Sequence, residues 1–258
     1  EALAAGGSAA LDLDVGGTVR TANFDSISGG DALFKYTVQS GDDDANGIEV
    51  TGLSNGGDLE DAAGNALTGA VSKTVSATTD ATAPTVATIS TPASGAFTQG
   101  QTVTFTLDAS EALSGAGGGS LTLDIGGATA TASFDSFNSG DAVYSYTIQP
   151  GETDTDGLDV TGVNAPPGAL KDAAGNDLDT SFGSQTFASA TVDADAPVVT
   201  GLSGPSVTAL NGATITLTLA ASEDLSGAGA APSLSLDVAG SPETASFDSI
   251  DGNGDALF

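Results

Sequence analysis

Two short acidic segments carry oxygen-bearing side chains at alternate positions, and each is followed by a glycine. The oxygens belong to Asp42, Asp44 and Asn46 in the first segment and to Glu152, Asp154 and Asp156 in the second. Hard cations such as calcium take about six to eight oxygen ligands, and a glycine lets the backbone fold such ligands around one ion. The spacing therefore predicts calcium ligands in both segments. Because Asp, Asn and Gly also favour turns without any ion, a solvated turn is the alternative interpretation.

Neither acidic segment is an EF-hand loop. An EF-hand needs a bidentate acidic residue at the twelfth loop position, where this chain has Leu53 and Val163. Each segment also lies between predicted strands rather than helices. Any ion site at these segments must therefore take further ligands from elsewhere in the fold.

Two linkers provide a second set of candidate ligands. They read Asp-Ala-Thr-Ala-Pro from Asp80 and Asp-Ala-Asp-Ala-Pro from Asp193. The proline prevents either linker from pairing as a central strand, so the carboxylates of Asp80, Asp193 and Asp195 are predicted to bind an ion between neighbouring domains. Thr82 replaces the second linker's Asp195, so the first linker is expected to be the poorer site.

Two more acidic residues are candidates to complete such a linker site. Glu111 follows a predicted strand, and Asp172 opens the segment Asp-Ala-Ala-Gly-Asn, which also occurs from Asp61. Both are predicted metal ligands if they lie at the same end of a domain as the linker. The alternatives are chance acidity in a very acidic chain and a turn that needs no metal, since Asp, Gly and Asn all suit tight turns.

The sequence predicts that the chain is not an enzyme. It has no His and no Cys, which excludes Ser-His-Asp and Cys-His catalysis. Its lysines do not recur between the repeated segments, since Lys35 becomes Ser145 and Lys171 becomes Glu60. Composition alone permits a carboxylate pair of the glycosidase kind. However, the acidic residues recur in equivalent turns, as expected for structural residues rather than for one active site.

The charge balance limits the possible partners. Thirty-four acidic residues against four basic ones give a net charge of −30, which repels phosphate backbones and predicts no nucleic-acid binding. The chain has no run of about 18 apolar residues, so this segment is predicted not to insert into a membrane. Without Cys, a secreted domain needs a staple other than a disulfide, and a metal is one such staple.

The chain repeats itself with a period of about 110 residues. Residues 1–34 and 111–144 are identical at half of their aligned positions, and a third copy begins at Glu223. Solenoid repeats and propeller blades are much shorter, whereas one whole β-sandwich domain has this length. The predicted domains are 1–82, which lacks the first two strands, 83–195, which is complete, and 196–258, the N-terminal part of a third repeat. Both flanking copies are partial, so the sequence is expected to be a window on a longer array.

Strand patterning predicts the fold class. Apolar residues alternate with Thr or Asp in short runs separated by Gly-rich turns, the pattern of half-buried antiparallel strands. The strands predicted for the complete repeat are 85–90, 102–108, 120–125, 129–134, 142–148, 158–163 and 185–192. About seven short strands in a repeat of this length favour an all-β fold of tandem Ig-like antiparallel β-sandwich domains.

The order of the motifs resembles the bacterial Ig-like tandem repeats of large surface adhesins and biofilm-associated proteins. In the complete repeat the motifs are Ser-Glu-Ala-Leu at 110–113, the run 140–147, the acidic segment, Asp-Ala-Ala-Gly-Asn, and the Asp-x-x-Ala-Pro linker. The linkers are also similar to the calcium-binding junctions of cadherins. The resemblance implies an extracellular location, on a bacterial cell surface or secreted, calcium-stiffened junctions and no catalysis.

The leading functional prediction is a non-enzymatic structural or adhesive scaffold, a calcium-stiffened stalk or fibre. Its partners would be the neighbouring repeats of the same chain and other copies in a fibre. A surface-layer or self-assembling filament subunit is an alternative of the same class. A glycan-binding module, or an accessory array of a larger enzyme, is an alternative of another class, although a chain with no Trp and three Tyr has few stacking platforms.

Overall fold

The computed structural model describes residues 2–91, 94–226 and 232–258. Within these ranges the structure is built from strands, and the one helical element is a 3-10 turn at Gly56–Asp58. The predicted all-β class is therefore confirmed. No helix in the described ranges is both long and apolar enough to cross a membrane.

The first repeat forms a five-stranded sheet and a separate strand pair. Its strands are β1 (Leu3–Ala5), β2 (Ala10–Val15), β3 (Thr18–Ser28), β4 (Asp31–Lys35), β5 (Glu49–Ser54), β6 (Glu60–Asp61) and β7 (Lys73–Thr74). The large sheet has the order β4-β3-β2-β5-β7, and β1 pairs with β6. Leu13, Val15 and Val50 are buried in a small core beneath the large sheet.

The second repeat contains a seven-stranded sheet and a three-stranded sheet. The strands are β8 (Val86–Ser90), β9 (Gly95–Phe97), β10 (Thr102–Ala109), β11 (Ser120–Ile125), β12 (Ala128–Asn138), β13 (Asp141–Thr147), β14 (Thr153–Asp154), β15 (Leu158–Asn164), β16 (Gln185–Phe187) and β17 (Ala190–Asp193). The large sheet has the order β16-β15-β11-β12-β13-β10-β8, and the small one has the order β14-β17-β9. Each strand predicted for this repeat is present, although 185–192 is divided between β16 and β17. The strands β9 and β14 are additional.

Period-two alternation places the core of the second repeat. Along β10, Val103, Phe105 and Leu107 are each 0% exposed, whereas the intervening Thr residues are partly exposed. The neighbouring strand β13 is in register with β10 from Thr102↔Thr147 to Leu107↔Ala142. Burying a large apolar side chain contributes about 1.5–3 kcal/mol. This core, which also takes residues from β9 and β17, therefore holds the two sheets together.

One strand pair departs from the predicted antiparallel arrangement. The strand β17 pairs with β9 in parallel, with Ala190 opposite Gly95 and Val192 opposite Phe97. The prediction of a purely antiparallel sandwich is therefore wrong for this pair. The reason is topological, because β9 lies near the beginning of the repeat and β17 at its end, so a long crossover separates them and permits parallel pairing.

The described part of the third repeat has more open packing. Its strands are β18 (Val199–Ser203), β19 (Thr218–Ala221), β20 (Ser233–Val238), β21 (Ser241–Ser246), β22 (Ser249–Ile250) and β23 (Ala256–Leu257). They form a four-stranded sheet, β18-β19-β23-β22, and the hairpin β20-β21. Ile215 is 47% exposed, whereas Val103, its counterpart in the second repeat, is fully buried.

Candidate metal centre

The first linker is bound to the acidic turn of the first repeat. The N–H of Thr79 donates to the carbonyl of Asp44 at 3.0 Å, and the N–H of Asp44 donates to the carbonyl of Thr79 at 2.8 Å. Two residues further on, the carbonyl of Ala81 accepts the N–H of Gly41 at 3.0 Å. Asp80 therefore lies between two residues that are both anchored to the preceding repeat.

The same linker is also bound to the second repeat. The side-chain amide of Asn176 donates to the main-chain carbonyl of Asp80 at 3.1 Å. Further along, the carbonyl of Pro84 accepts the N–H of Asp179 at 2.8 Å. Hydrogen bonds from both repeats thus fix the linker, and they place it beside the turn that begins at Asp172.

Three carboxylates converge at this junction. One oxygen from each of Asp80, Glu111 and Asp172 lies within 4.8 Å of the others. Asp80 is exposed, Glu111 is half-buried and Asp172 is buried. The linker supplies Asp80, and two separate loops of the second repeat supply Glu111 and Asp172. We call these three residues the junction triad.

The environment holds Asp172 in its charged form. Its Oδ1 accepts the N–H groups of Gly175 at 2.7 Å and Asn176 at 2.9 Å, and its Oδ2 accepts the side-chain amide of Asn176 at 2.8 Å. Burial opposes ionisation, but the hydrogen bonds from Asn176 and Gly175 together outweigh it and lower the pKa of Asp172. The predicted turn Asp-Ala-Ala-Gly-Asn therefore has a structural role and presents a carboxylate to the triad as well.

The environment opposes the charged form of Glu111. Burial raises its pKa, and the negative charges of Asp80, Asp172 and Asp43 raise it further. The described residues form two ion pairs, Arg20 with Asp42 and Lys35 with Asp25, and neither includes a member of the triad. A proton on Glu111 or a bound cation would relieve the repulsion within the triad.

Replacing Glu111 by glutamine should reveal this repulsion in the absence of divalent cations. A raised folded-state pKa favours folding below the unfolded-state pKa, and this contribution is lost as the pH rises through the folded-state value. In EDTA, the melting temperature of the Glu111→Gln variant should therefore equal that of the wild type near pH 4 and exceed it by up to about 4 °C at pH 7. Scanning calorimetry at both pH values tests this, with Glu243→Gln, an exposed glutamate of the third repeat, as the control. A variant less stable than the wild type at pH 7 would contradict it.

Asp44 and Asp154, the central residues of the two acidic segments, are buried and accept backbone N–H groups on both carboxylate oxygens. In the first repeat, Asp44 accepts N–H groups from Asn46 and Gly47 on Oδ1 and from Gly16 on Oδ2. The hydrogen bond from Gly16 is the main cause of the lowered pKa of Asp44. In the second repeat, Asp154 accepts the N–H of Gly157 at 2.8 Å on Oδ1 and that of Gly126 at 2.9 Å on Oδ2.

The first residue of each acidic segment is likewise engaged by protein donors. Asp42 is buried and accepts hydrogen bonds from Arg20, Tyr36 and the N–H of Gln39. Burial opposes its ionisation, but these donors outweigh that effect and lower the pKa of Asp42. In the second repeat Glu152 accepts from Tyr146 and from the N–H of Gln149.

These contacts favour the turn interpretation of the acidic segments. Asn46 and Asp156 are exposed, and none of the six predicted ligands in the two segments belongs to the junction triad. Asp193 and Asp195 are also exposed and lie outside the triad. Among the described residues, the carboxylates converge at the first linker. Thr82 had predicted the opposite, namely that the first linker would be the poorer site.

Sequence reasoning identified every member of the triad but missed Asp43. This exposed residue, inside the first acidic segment, accepts hydrogen bonds from the N–H of Ala81 at 3.0 Å and from the hydroxyl of Thr82. The aligned repeats contain a signal that Asp43 and Thr82 are related, because both positions differ together in the second repeat. There Thr153 replaces Asp43, and Asp195 replaces Thr82.

No family model matches the chain, and no curated protein or solved structure matches it significantly. The resemblance to bacterial Ig-like repeats therefore stays a prediction.

Proposed function

We propose that the chain is part of a non-enzymatic structural array, an extracellular stalk or fibre whose repeat junctions are stiffened by calcium. The convergence of Asp80, Glu111 and Asp172 within 4.8 Å at the junction carries this proposal. A linker clamped between two repeats is the place where one ion would have the largest effect on the flexibility of an array.

The donor set of the triad suits a hard divalent cation. Carboxylate oxygens are the ligands that calcium prefers, and calcium tolerates irregular geometry and completes its shell with water. Asp80, Glu111 and Asp172 would hold the ion, which would neutralise their mutual repulsion and cross-link the linker to two loops of the second repeat. No His or Cys is present in the chain to favour a softer metal.

The tyrosines offer little support for the alternative of a glycan-binding module. Tyr144 is fully buried, and Tyr36 and Tyr146 each direct their hydroxyl to a carboxylate of an acidic segment. Burial and the hydrogen bond to Glu152 raise the pKa of Tyr146 to about 12. These rings therefore contribute to the domain rather than forming an open stacking platform.

A calcium titration of the full chain tests the proposal. Extracellular modules bind calcium with Kd values of about 10⁻⁴–10⁻³ M, and a ligand at about 100 times its Kd stabilises the folded state by about 2.7 kcal/mol. We expect calcium to raise the melting temperature of the second repeat and to reduce hydrogen exchange at residues 79–85. Calorimetry and exchange mass spectrometry measure the two effects.

Matched variants locate the site. Asp80→Asn and Glu111→Gln should abolish the calcium effect, whereas Asp156→Asn, which removes an exposed carboxylate of the acidic segment, should retain it. If the wild type shows no shift at millimolar calcium, or if Asp156→Asn loses the shift and Asp80→Asn keeps it, the junction triad is not the calcium site.

A further inference from the structure

The carboxylate of Asp43 holds the linker at the two residues that follow Asp80. Its Oδ1 accepts the N–H of Ala81 at 3.0 Å, and its Oδ2 accepts the hydroxyl of Thr82. Both oxygens of Asp43 are thus engaged by the linker. Asp43 also contributes to the raised pKa of Glu111, so its charge acts on the triad as well.

These contacts complete a frame around Asp80. On one side Thr79 exchanges two backbone hydrogen bonds with Asp44, and on the other the carbonyl of Ala81 accepts from Gly41. The N–H of Ala81 donates to the carboxylate of Asp43, so both main-chain polar groups of Ala81 are hydrogen-bonded to the acidic turn. The backbone on both sides of Asp80 is therefore fixed by one acidic turn of the preceding repeat.

The second junction keeps part of this frame, but its linker amide has a main-chain acceptor. Gly151 donates to the carbonyl of Ala194 at 3.0 Å, as Gly41 does to Ala81, whereas the N–H of Ala194 donates to the main-chain carbonyl of Glu152 at 2.8 Å instead of to a side chain. Thr153 occupies the position of Asp43, and Asp195 that of Thr82. A Cβ built at Gly151 would lie 3.8 Å from Oδ1 of Asp195, so this side chain lies against the preceding acidic turn.

Electrostatics explains the strength of the contact at the first junction. The carboxylate of Asp43 accepts a charge-assisted hydrogen bond from each of the two linker donors, and such a bond is about twice as strong as a neutral one. A second carboxylate in place of the Thr82 hydroxyl would repel Asp43 instead of donating to it.

We propose that Asp43 and Thr82 form a latch that positions Asp80 for the junction triad. Asp43 is a positioning residue, since its oxygens face the linker rather than an ion. The latch itself operates without a cation, whereas its effect on calcium affinity rests on the proposed function of the triad.

Substitutions of the two residues in the full chain test the latch. In EDTA, Asp43→Thr and Thr82→Asp should each speed hydrogen exchange at the Ala81 amide by about tenfold, because each breaks a charge-assisted hydrogen bond. Thr153→Ala, at the equivalent position of the second junction, is the matched control. It should leave exchange at the Ala194 amide within about twofold of the wild-type rate, because that amide donates to the carbonyl of Glu152. Amide exchange followed by NMR measures these rates.

Calcium affinity, measured by calorimetric titration of the same four proteins, tests the positioning role. We expect about fivefold weaker binding in Asp43→Thr and wild-type affinity in Thr153→Ala. Unchanged exchange at Ala81 in Asp43→Thr would overturn the latch. Equal calcium affinity in all four proteins would overturn the positioning role. Absence of calcium binding even in the wild type would overturn the proposed function, while the EDTA exchange rates would still decide whether the latch exists.

Discussion

Replacing Asp154 by alanine should destabilise the second repeat by about 2–5 kcal/mol, and by the same amount in EDTA and in calcium. The carboxylate is buried and accepts the N–H groups of Gly126 and Gly157. Each buried donor left without an acceptor costs about 1–3 kcal/mol. Because a folded domain is stable by only about 5–15 kcal/mol, this loss is a large fraction of the total. Calorimetry with and without calcium measures it.

Two matched variants sharpen the test of Asp154. Asp156→Ala removes an exposed carboxylate from the same segment and should change stability by less than about 0.5 kcal/mol. Asp44→Ala should reproduce the loss in the first repeat, because Asp44 accepts the N–H groups of Gly16 and Gly47. A loss at Asp154 that appears only in calcium would show that the acidic segment is an ion site instead of a turn.

Replacing Gly126 by alanine should be nearly as harmful, because it separates the β11–β12 hairpin from the acidic turn. A Cβ at Gly126 would lie well inside van der Waals contact of the Thr153 carbonyl oxygen. Gly126 also has a φ of 57°, in a region that costs an L residue about 1–2 kcal/mol. Adding about 1–3 kcal/mol for the overlap, we expect a loss of about 2–5 kcal/mol in urea unfolding.

The adjacent glycine is the control for this substitution. Gly127 has a φ of 89°, but a Cβ there would meet nothing within 4 Å. Gly127→Ala should therefore cost only the conformational strain, about 1–2 kcal/mol. Equal losses at the two positions would show that the contact between the hairpin and the acidic turn contributes nothing to stability.

The two predictions concern one structural unit that recurs in the first two repeats. A buried aspartate joins the tip of a hairpin to the acidic turn, and the outer edge of that turn holds the exit linker. The turn thus connects the core of one repeat to the position of the next. In a chain with a net charge of −30, carboxylates that hold N–H donors stabilise the fold without any counter-ion.

Local patterning was sufficient to predict the strands. Alternation of apolar residues with Thr along 102–108 requires a strand with one buried face, whatever lies opposite. The repeat length, the acidic turns and the linkers were likewise visible, since each is a contiguous segment. The sequence also predicted Glu111 and Asp172 as partners for Asp80, on the condition that they lie at the same end of a domain as the linker.

Burial and the roles of the carboxylates were decided by tertiary structure. Val15, Ile125 and Val238 end equivalent strands, yet they are 1%, 2% and 56% exposed. Burial depends on strands that arrive later in the chain, and residues 232–258 include no counterpart of β15. In the same way, a carboxylate in a turn is a free ligand or a saturated acceptor according to which N–H groups the fold brings to it. Sequence alone therefore determined the repeat, its strands and the candidate acids, while only the packing of distant segments decided that Asp44 and Asp154 support the fold and that Asp80, Glu111 and Asp172 converge.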